Sequence, residues 1–227
     1  MDKASQVRMS RRLFLTGLAA STLAACASER RPALAPMSYG EPDSARAMRL
    51  LAAAASQIGR TQIYDPAYQA ISYPGGDIPL ERGVCSDVVI RAYRQGLNCD
   101  LQQLVHEDMS LAFAEYPNLP KWGLSKPDAN IDHRRVLNLM TFFNRKGAAR
   151  PISRSFGAYD AGDLVTQTLP GDMPHISIVV DHQGVGGAPR IIHNCGKGTQ
   201  LSTLAFSLPI TGHFRYLPTP GTRMAAA

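Results

Sequence analysis

The spacing of apolar residues along this 227-residue chain changes near residue 150, and this change restricts the fold more than any other feature. Before residue 150, apolar residues recur at the helical period in four segments. These segments are 43–58, 86–95, 100–113 and 132–146. After residue 150, short segments rich in branched or aromatic residues are separated by Gly, Pro and Asp, a pattern typical of strands. These segments are 162–166, 175–180, 190–193 and 212–216. Helices followed by strands predict an α+β domain in which N-terminal helices pack on a C-terminal antiparallel sheet.

The N-terminus has the layout of a bacterial export signal. A basic start is followed by an apolar stretch and by small residues that lead to Cys26. The pair Arg11 and Arg12 resembles the twin-arginine signal, and the run LAAC ending at Cys26 resembles the site at which lipoproteins are cleaved and acylated. We therefore predict a signal peptide over 1–25, lipidation of Cys26, a flexible tether over 26–42, a folded domain over 43–218 and a disordered tail over 219–227. The protein would face the periplasm, anchored to a bacterial membrane.

Charge and composition exclude several classes of protein. The formal charge of +6 includes four cations and one anion within 1–25, so the rest of the chain carries only +3. No basic block with interleaved aromatic residues indicates nucleic-acid binding. No apolar run reaches the roughly 18 to 20 residues of a membrane-spanning helix, so the lipid anchor is the only predicted membrane contact. Four cysteines are too few for a disulfide scaffold.

Cys85 is the strongest candidate for a chemical role. It lies at the first turn of a predicted helix, where unpaired backbone amides and the helix dipole favour a thiolate and lower the cysteine pKa. A nucleophile needs a base, and His175 opens a strand in which it shares one face with Ser177 and Val179, a face that we expect to meet a helix. A hairpin turning through 181–189 would bring His193 beside the start of that strand and supply a group that orients the base.

Other interpretations of these residues stay open. A single cysteine is often a small buried apolar residue, and a strand histidine is often a hydrogen-bonded structural one. One cysteine and two histidines also form a possible zinc ligand set, although their spacing is not that of paired ligands. Cys99 and Cys195 could form a disulfide in an oxidising envelope.

Several motifs together resemble the NlpC-type cell-wall cysteine peptidases, a papain-like superfamily. They are AGDLV at 161–165, PHISIV at 174–179 and IHN at 192–194, with Cys85 at an earlier helix start. The resemblance implies a papain-like fold in which Cys85 is the nucleophile, His175 the base and His193 the orienting residue. Asn194 competes for that third position, and backbone amides of Cys85 or Ser86 would bind the oxyanion.

A narrower resemblance covers roughly residues 45–217. The runs GVCSDVVIRAYRQG, LVHEDM, NIDHRRVLNL and PITGHFRY resemble the bacterial exported family catalogued as domain of unknown function 1287. One departure from the cell-wall peptidases is plain. Those enzymes usually have aspartate before the cysteine and serine-glycine after it, whereas here Val84 precedes Cys85 and Ser86 and Asp87 follow it.

Four residues are predicted to bind substrate. Arg134 and Arg135 could hold a carboxylate or phosphate with paired N–H groups, or could instead form a solvated helix face or salt bridges. Tyr73 lies in a tyrosine-rich loop that could wall a cleft or could simply be packed. Asp87 follows the cysteine in the first turn of its helix.

The sequence thus predicts an exported cysteine hydrolase that cleaves an amide bond in peptidoglycan peptides and requires no cofactor or metal. A related alternative is an acyltransferase or lipid hydrolase with the same triad. The alternative from another class is a non-catalytic envelope module that binds a cell-wall peptide or a partner protein.

Overall fold

The computed structural model describes Glu41 and residues 43–219. The predicted signal peptide 1–25, the lipidation site Cys26, the tether apart from Glu41 and the tail beyond residue 219 lie outside these residues. Across the described ranges no helix is both long and apolar enough to cross a membrane.

Four α-helices occur within the described part of the chain. They are α1 (Asp43–Ala55), α2 (Cys85–Leu97), α3 (Leu101–Leu111) and α4 (Val136–Arg145). The start of α3 follows from sequence, because the Asp100 side chain accepts a hydrogen bond from the backbone of Gln102 and so caps the helix. The predicted start of α4 was four residues too early, since 132–134 form a separate 3-10 turn and Arg135 is extended.

Within the described residues the main sheet is antiparallel, as predicted, but it has five strands and not four. They are β3 (Leu164–Leu169), β4 (Met173–Asp181), β5 (Arg190–Asn194), β6 (Thr199–Thr203) and β7 (Ile210–Phe214), in the order β6-β5-β4-β3-β7. Strand β6 was not predicted, because it is an edge strand with a single large apolar residue. A second, parallel pair joins β1 (Ile63–Tyr64) to β2 (Arg82–Gly83) within the long tyrosine-rich loop.

The helices cover one face of the sheet. Ile176 and Ile178 of β4 belong to the same buried cluster as Val88 and Val89 of α2. Val179 belongs instead to a smaller cluster on the opposite face. Since successive strand residues alternate between faces, His175 shares the face of Val179. The expectation that this histidine face meets a helix is therefore wrong, because the larger apolar side chains of the strand, Ile176 and Ile178, face α2.

Candidate active site

The start of α2 is fixed by a carboxylate rather than by its N-cap side chain. Val84 precedes the helix, and its backbone N–H donates to Asp87 Oδ2 at 2.7 Å. The same carboxylate accepts two hydrogen bonds of 2.9 Å from Arg134, one from Nε and one from Nη2. Such a paired interaction between arginine and carboxylate fixes both groups strongly. Asp87 therefore links the first turn of the helix to the segment that carries Arg134.

Arg134 and Asp87 are structural partners, and this corrects the prediction that they bind substrate. Arg134 also donates to the carbonyl oxygens of Asp65 and Ala67 at 2.9 and 3.0 Å. Its own carbonyl accepts a hydrogen bond from the buried Ser86 hydroxyl at 2.7 Å. With its N–H groups directed at protein oxygens, Arg134 cannot grip a ligand carboxylate as a free guanidinium would.

Cys85, the first residue of α2, is only 3% exposed. Burial raises its pKa to about 11, although the backbone N–H groups of Ile176, Ser86 and Cys85 itself act in the opposite direction. The expectation of a lowered pKa is therefore wrong, because removing the thiolate from water outweighs the favourable helix-start amides. At neutral pH the resting group is the protonated thiol.

His175 and His193 form a hydrogen-bonded pair across neighbouring strands. His175 Nε2 lies 2.8 Å from His193 Nδ1, and His193 Nε2 lies 2.9 Å from the hydroxyl of Ser202 on β6. Burial, with a contribution from His193, lowers the pKa of His175 to about 3, and burial also lowers the pKa of His193. Both rings are therefore neutral near pH 7, and each carries one N–H.

This chain of three side chains allows two proton arrangements. In one, His175 Nε2–H donates to His193 and His193 Nε2–H donates to Ser202, which leaves the Nδ1 lone pair of His175 free to accept a proton. In the other, every donor is reversed and His175 Nδ1 carries hydrogen. Only the first arrangement makes His175 a base at Nδ1.

The thiol meets β4 at the residue that follows His175. The backbone N–H of Ile176 interacts with the Cys85 sulfur. Among the described residues, no hydrogen bond joins the thiol to the His175 ring, which lies on the other face of the strand. The structure therefore places the Cys85 thiol beside the backbone of Ile176, the residue after His175, and it brings His175 and His193 together. No hydrogen bond joins the thiol to the His175 imidazole among the described residues.

The Asn194 side chain forms its hydrogen bonds away from the histidine pair. Its side-chain amide donates to the carbonyl of Gly83 at 2.9 Å, and its side-chain oxygen accepts from Gly196 N–H. Asn194 thus attaches the end of β5 to the segment just before Cys85, and of the two candidates for the third position His193 is the one that contacts His175.

A cavity of about 450 Å³ opens beside Cys85. Its lining residues are Tyr64, Pro66, Tyr68, Val84, Cys85, Trp122, Ile131, Arg134, Arg135, Val136, Leu137 and Pro174. Burial, together with the nearby Cys85 and Asp87, raises the pKa of Tyr64 to about 12, so its hydroxyl remains a hydrogen-bond donor at neutral pH. Tyr73 is not among the lining residues and packs edge-on against His106, which corrects the prediction that it binds substrate.

Arg135 differs sharply from its neighbour Arg134. Its guanidinium carbon lies 4.5 Å from the centroid of the Trp122 ring, and both residues line the cavity. The sequence analysis named Arg135 but missed Trp122 and Ser202. Trp122 is the single tryptophan of the chain, and an interaction between an arginine and a tryptophan that far apart has no periodic sequence signature. Ser202 was missed together with its strand.

The cysteines and histidines do not converge on a metal position. His175 and His193 bond directly to each other, so these two nitrogens do not point jointly toward the sulfur. Over the described ranges, no cluster of three or more His, Cys, Asp or Glu could hold a metal ion. Cys85, Cys99 and Cys195 are all free thiols, and burial raises the pKa of Cys99 to about 12.

Together these features define a mixed α+β protein whose described residues form four α-helices, a five-stranded antiparallel sheet and a cavity beside a helix-start thiol. The chain belongs to the family described as domain of unknown function (DUF1287), whose model matches residues 51–216. It is 53% identical over 163 residues to a protein of Escherichia coli (strain K12) named uncharacterized protein YijF. That match covers 72% of this chain and 78% of the relative.

Proposed function

We propose that this protein is an exported cysteine hydrolase of papain-like, NlpC-type fold that cleaves an amide bond in peptidoglycan peptides. The observation that carries the proposal is the position of the Cys85 thiol against the N–H of Ile176, next in the chain to a histidine whose Nε2 is held by His193 at 2.8 Å. A thiol at a helix start, a strand histidine and an orienting group are the parts that nucleophilic catalysis requires.

The resting thiol and imidazole are both neutral, which favours general-base catalysis over a preformed ion pair. His175 Nδ1 would take the thiol proton as sulfur bonds to the substrate carbonyl carbon. The same proton would pass to the departing amine when the carbon–nitrogen bond breaks and an acyl-enzyme remains. Water, deprotonated by His175, would then release the carboxylic acid and restore the thiol. Because the resting ring lies on the face of β4 opposite the thiol, this mechanism requires the start of β4 to rearrange when substrate binds, so that the ring reaches the sulfur.

Negative charge develops on the carbonyl oxygen during the attack. The backbone N–H groups of Cys85 and Ser86 belong to the first turn of α2, where a helix has no acceptors of its own for them. Tyr64 lines the same cavity and stays protonated, so its hydroxyl is a candidate further donor. These groups would stabilise the oxyanion.

Peptidoglycan is proposed as substrate because the N-terminal sequence resembles an export signal and the cavity volume lies within the usual range for small ligands. The lipid anchor has its own test. Cys26→Ser should move the protein from the membrane fraction to the soluble fraction of bacterial cells, whereas Cys99→Ser should not. Unchanged membrane association of the Cys26 variant would contradict the anchor.

Turnover of soluble peptidoglycan fragments, followed by mass spectrometry, tests the hydrolase. Cys85→Ala and His175→Ala should each lower the rate of amide cleavage by at least about a thousandfold. Cys195→Ala removes an exposed thiol and should leave the rate unchanged. Full activity of the Cys85 variant would disprove the proposed nucleophile. Addition of a primary amine separates acyl transfer from hydrolysis, since a transferase would form the amide of that amine.

A second candidate function is non-catalytic binding of a cell-wall peptide. It is favoured by the raised pKa of Cys85 and by the placement of His175 on the far face of β4. In that case the wild-type protein and Cys85→Ala would bind the fragments with equal affinity, and neither would cleave them.

A further inference from the structure

We propose that Arg135 and Trp122 form a subsite for a carboxylate, so that the peptide bound beside Cys85 carries a free carboxylate group. The inference deepens the proposed function and rests on it for the identity of the ligand as a peptide. The subsite itself rests on contacts within the cavity.

Trp122 holds the Arg135 side chain in place. The guanidinium carbon lies 4.5 Å from the centroid of the indole ring, within the range of a cation–π contact. Stacking occupies a face of the planar guanidinium and leaves the N–H groups at its edge available for hydrogen bonds. Because both residues line the cavity that contains Cys85, a ligand held at this edge would share the cavity with the thiol.

Arg135 lacks the hydrogen bonds that its neighbour has. Its acidic partner Asp132 lies 3.7 Å from Nη1, which is beyond hydrogen-bonding distance. Nη1 is buried without a hydrogen-bond partner among the described residues, and so is Asp132 Oδ1. Asp132 also accepts from the backbone N–H of Asp128 and faces His106 Nδ1 at 3.5 Å. The acid therefore compensates the guanidinium only partly.

Among the described residues, Arg134 has the hydrogen-bonded carboxylate partner that Arg135 lacks. Arg134 is held by two hydrogen bonds of 2.9 Å to the Asp87 carboxylate. Arg135 has no such carboxylate within the described residues, and its side chain keeps 17% exposure. Because Nη1 is buried and faces Asp132, a ligand carboxylate in the cavity would bond instead to the Nε and Nη2 edge of the guanidinium, with charge-assisted hydrogen bonds.

The cavity favours a carboxylate on a peptide over a free phosphate. Apart from the two arginines, of which Arg134 is already paired, its described lining consists of aromatic and aliphatic side chains, two prolines and the Cys85 thiol. One planar guanidinium matches a carboxylate, and the apolar lining suits the body of a peptide. A phosphate, which carries more charge, would need a second unpaired cation, whereas the other arginine of the described lining, Arg134, is already paired with Asp87.

Trp122 provides the readout for the experiment, because it is the one tryptophan among 227 residues. The protein with Cys85→Ala, which cannot form an acyl-enzyme, would be titrated with N-acetyl-alanyl-alanine and with its C-terminal amide. Tryptophan fluorescence would be followed, with calorimetry as a second measurement. We expect the acid to bind about tenfold or more tightly than the amide, as expected for charge-assisted hydrogen bonds.

Three variants and one further probe sharpen the test. Arg135→Gln should remove the difference between acid and amide, and Arg135→Lys should retain only part of it. Arg60→Gln, which changes an exposed arginine outside the cavity lining, should leave the difference intact. Equal affinity for acid and amide, or no saturable binding of the acid, would overturn the subsite. Tighter binding of inorganic phosphate than of the acid would overturn the assignment to a carboxylate.

This experiment is separate from the test of the hydrolase. The titration uses a variant without the thiol, so its result does not depend on turnover. If acid and amide bind equally while wild-type protein cleaves peptidoglycan fragments, the subsite is wrong and the hydrolase stands. If the acid binds selectively while no fragment is cleaved, the hydrolase is wrong and the subsite remains as part of a binding module.

Discussion

Alkylation of the three cysteines that the structure describes, each a free thiol, tests the electrostatic description of the site when it is followed across a range of pH. Burial raises the pKa of Cys85 to about 11, so its thiolate fraction at pH 7 is about one part in ten thousand. An ordinary exposed cysteine, with a pKa of about 8.5, has a thiolate fraction of about 3% at the same pH. The difference in reactive species is therefore about three hundredfold.

Intrinsic nucleophilicity offsets part of this difference. A thiolate whose thiol has a higher pKa is the stronger nucleophile, with a Brønsted slope of about 0.4–0.5. The Cys85 thiolate should therefore react roughly ten to twenty times faster than the thiolate of an ordinary cysteine. The net expectation at pH 7 is that Cys85 reacts about twentyfold more slowly than an exposed thiol, and burial will slow it further. Between pH 7 and pH 9 the rate at Cys85 should rise about a hundredfold, without reaching a plateau.

The assay is timed treatment with iodoacetamide followed by peptide mapping, so that each cysteine is quantified separately. Cys195 is exposed and serves as the reference thiol in the same sample. His175→Ala should not slow the reaction of Cys85, because the resting imidazole is neutral. Faster labelling of Cys85 than of Cys195 at pH 7, with a titration midpoint near neutrality, would mean that a thiolate–imidazolium pair exists. The argument from burial would then be refuted.

Three further predictions follow from the hydrogen bonds of the site. Ser202→Ala removes the partner of His193 and should change the nitrogen NMR shifts of both histidines and lower turnover about tenfold; unchanged shifts would exclude a positioning role for Ser202. Asp87→Ala leaves the buried Arg134 without its carboxylate and should lower the free energy of unfolding in urea by about 3–5 kcal/mol, whereas a loss below 1 kcal/mol would contradict the structural role. The folded-state pKa of His175 lies below its unfolded value of about 6.5, so the free energy of unfolding should fall as pH drops from about 6.5 to 3. Burial also lowers the pKa of His133 and His193, so His175→Gln should reduce this dependence in acid denaturation without abolishing it; an unchanged dependence in that variant would assign it to the other groups.

The sequence was sufficient to predict the order of helices and strands, because apolar periodicity reports which face of each element is buried. The hairpin that joins β4 and β5 also followed from turn residues, and with it the pairing of His175 with His193. The missed strand β6 shows the limit of this reasoning. Its residues TQLST contain one large apolar side chain, since an edge strand needs little burial.

The other predictions that were wrong concern properties that depend on tertiary structure. The helix start at Cys85 was predicted correctly, but its pKa depends on how deeply the thiol is covered, which periodicity does not give. The pairing of Arg134 with Asp87 joins residues 47 positions apart, and apolar periodicity does not indicate an ion pair at such a separation. The face of β4 that carries His175 was assigned wrongly because both faces contain apolar residues.

The double use of the Asp87 carboxylate has a consequence for ligand selection. By closing the first turn of α2 and gripping Arg134, it makes the segment that ends in Arg135 part of the same rigid body as Cys85. The distance between the Cys85 sulfur and the Arg135 guanidinium is then fixed by the fold. We expect ligands of the wrong length between their reactive carbonyl and their carboxylate to reach one end or the other, but not both.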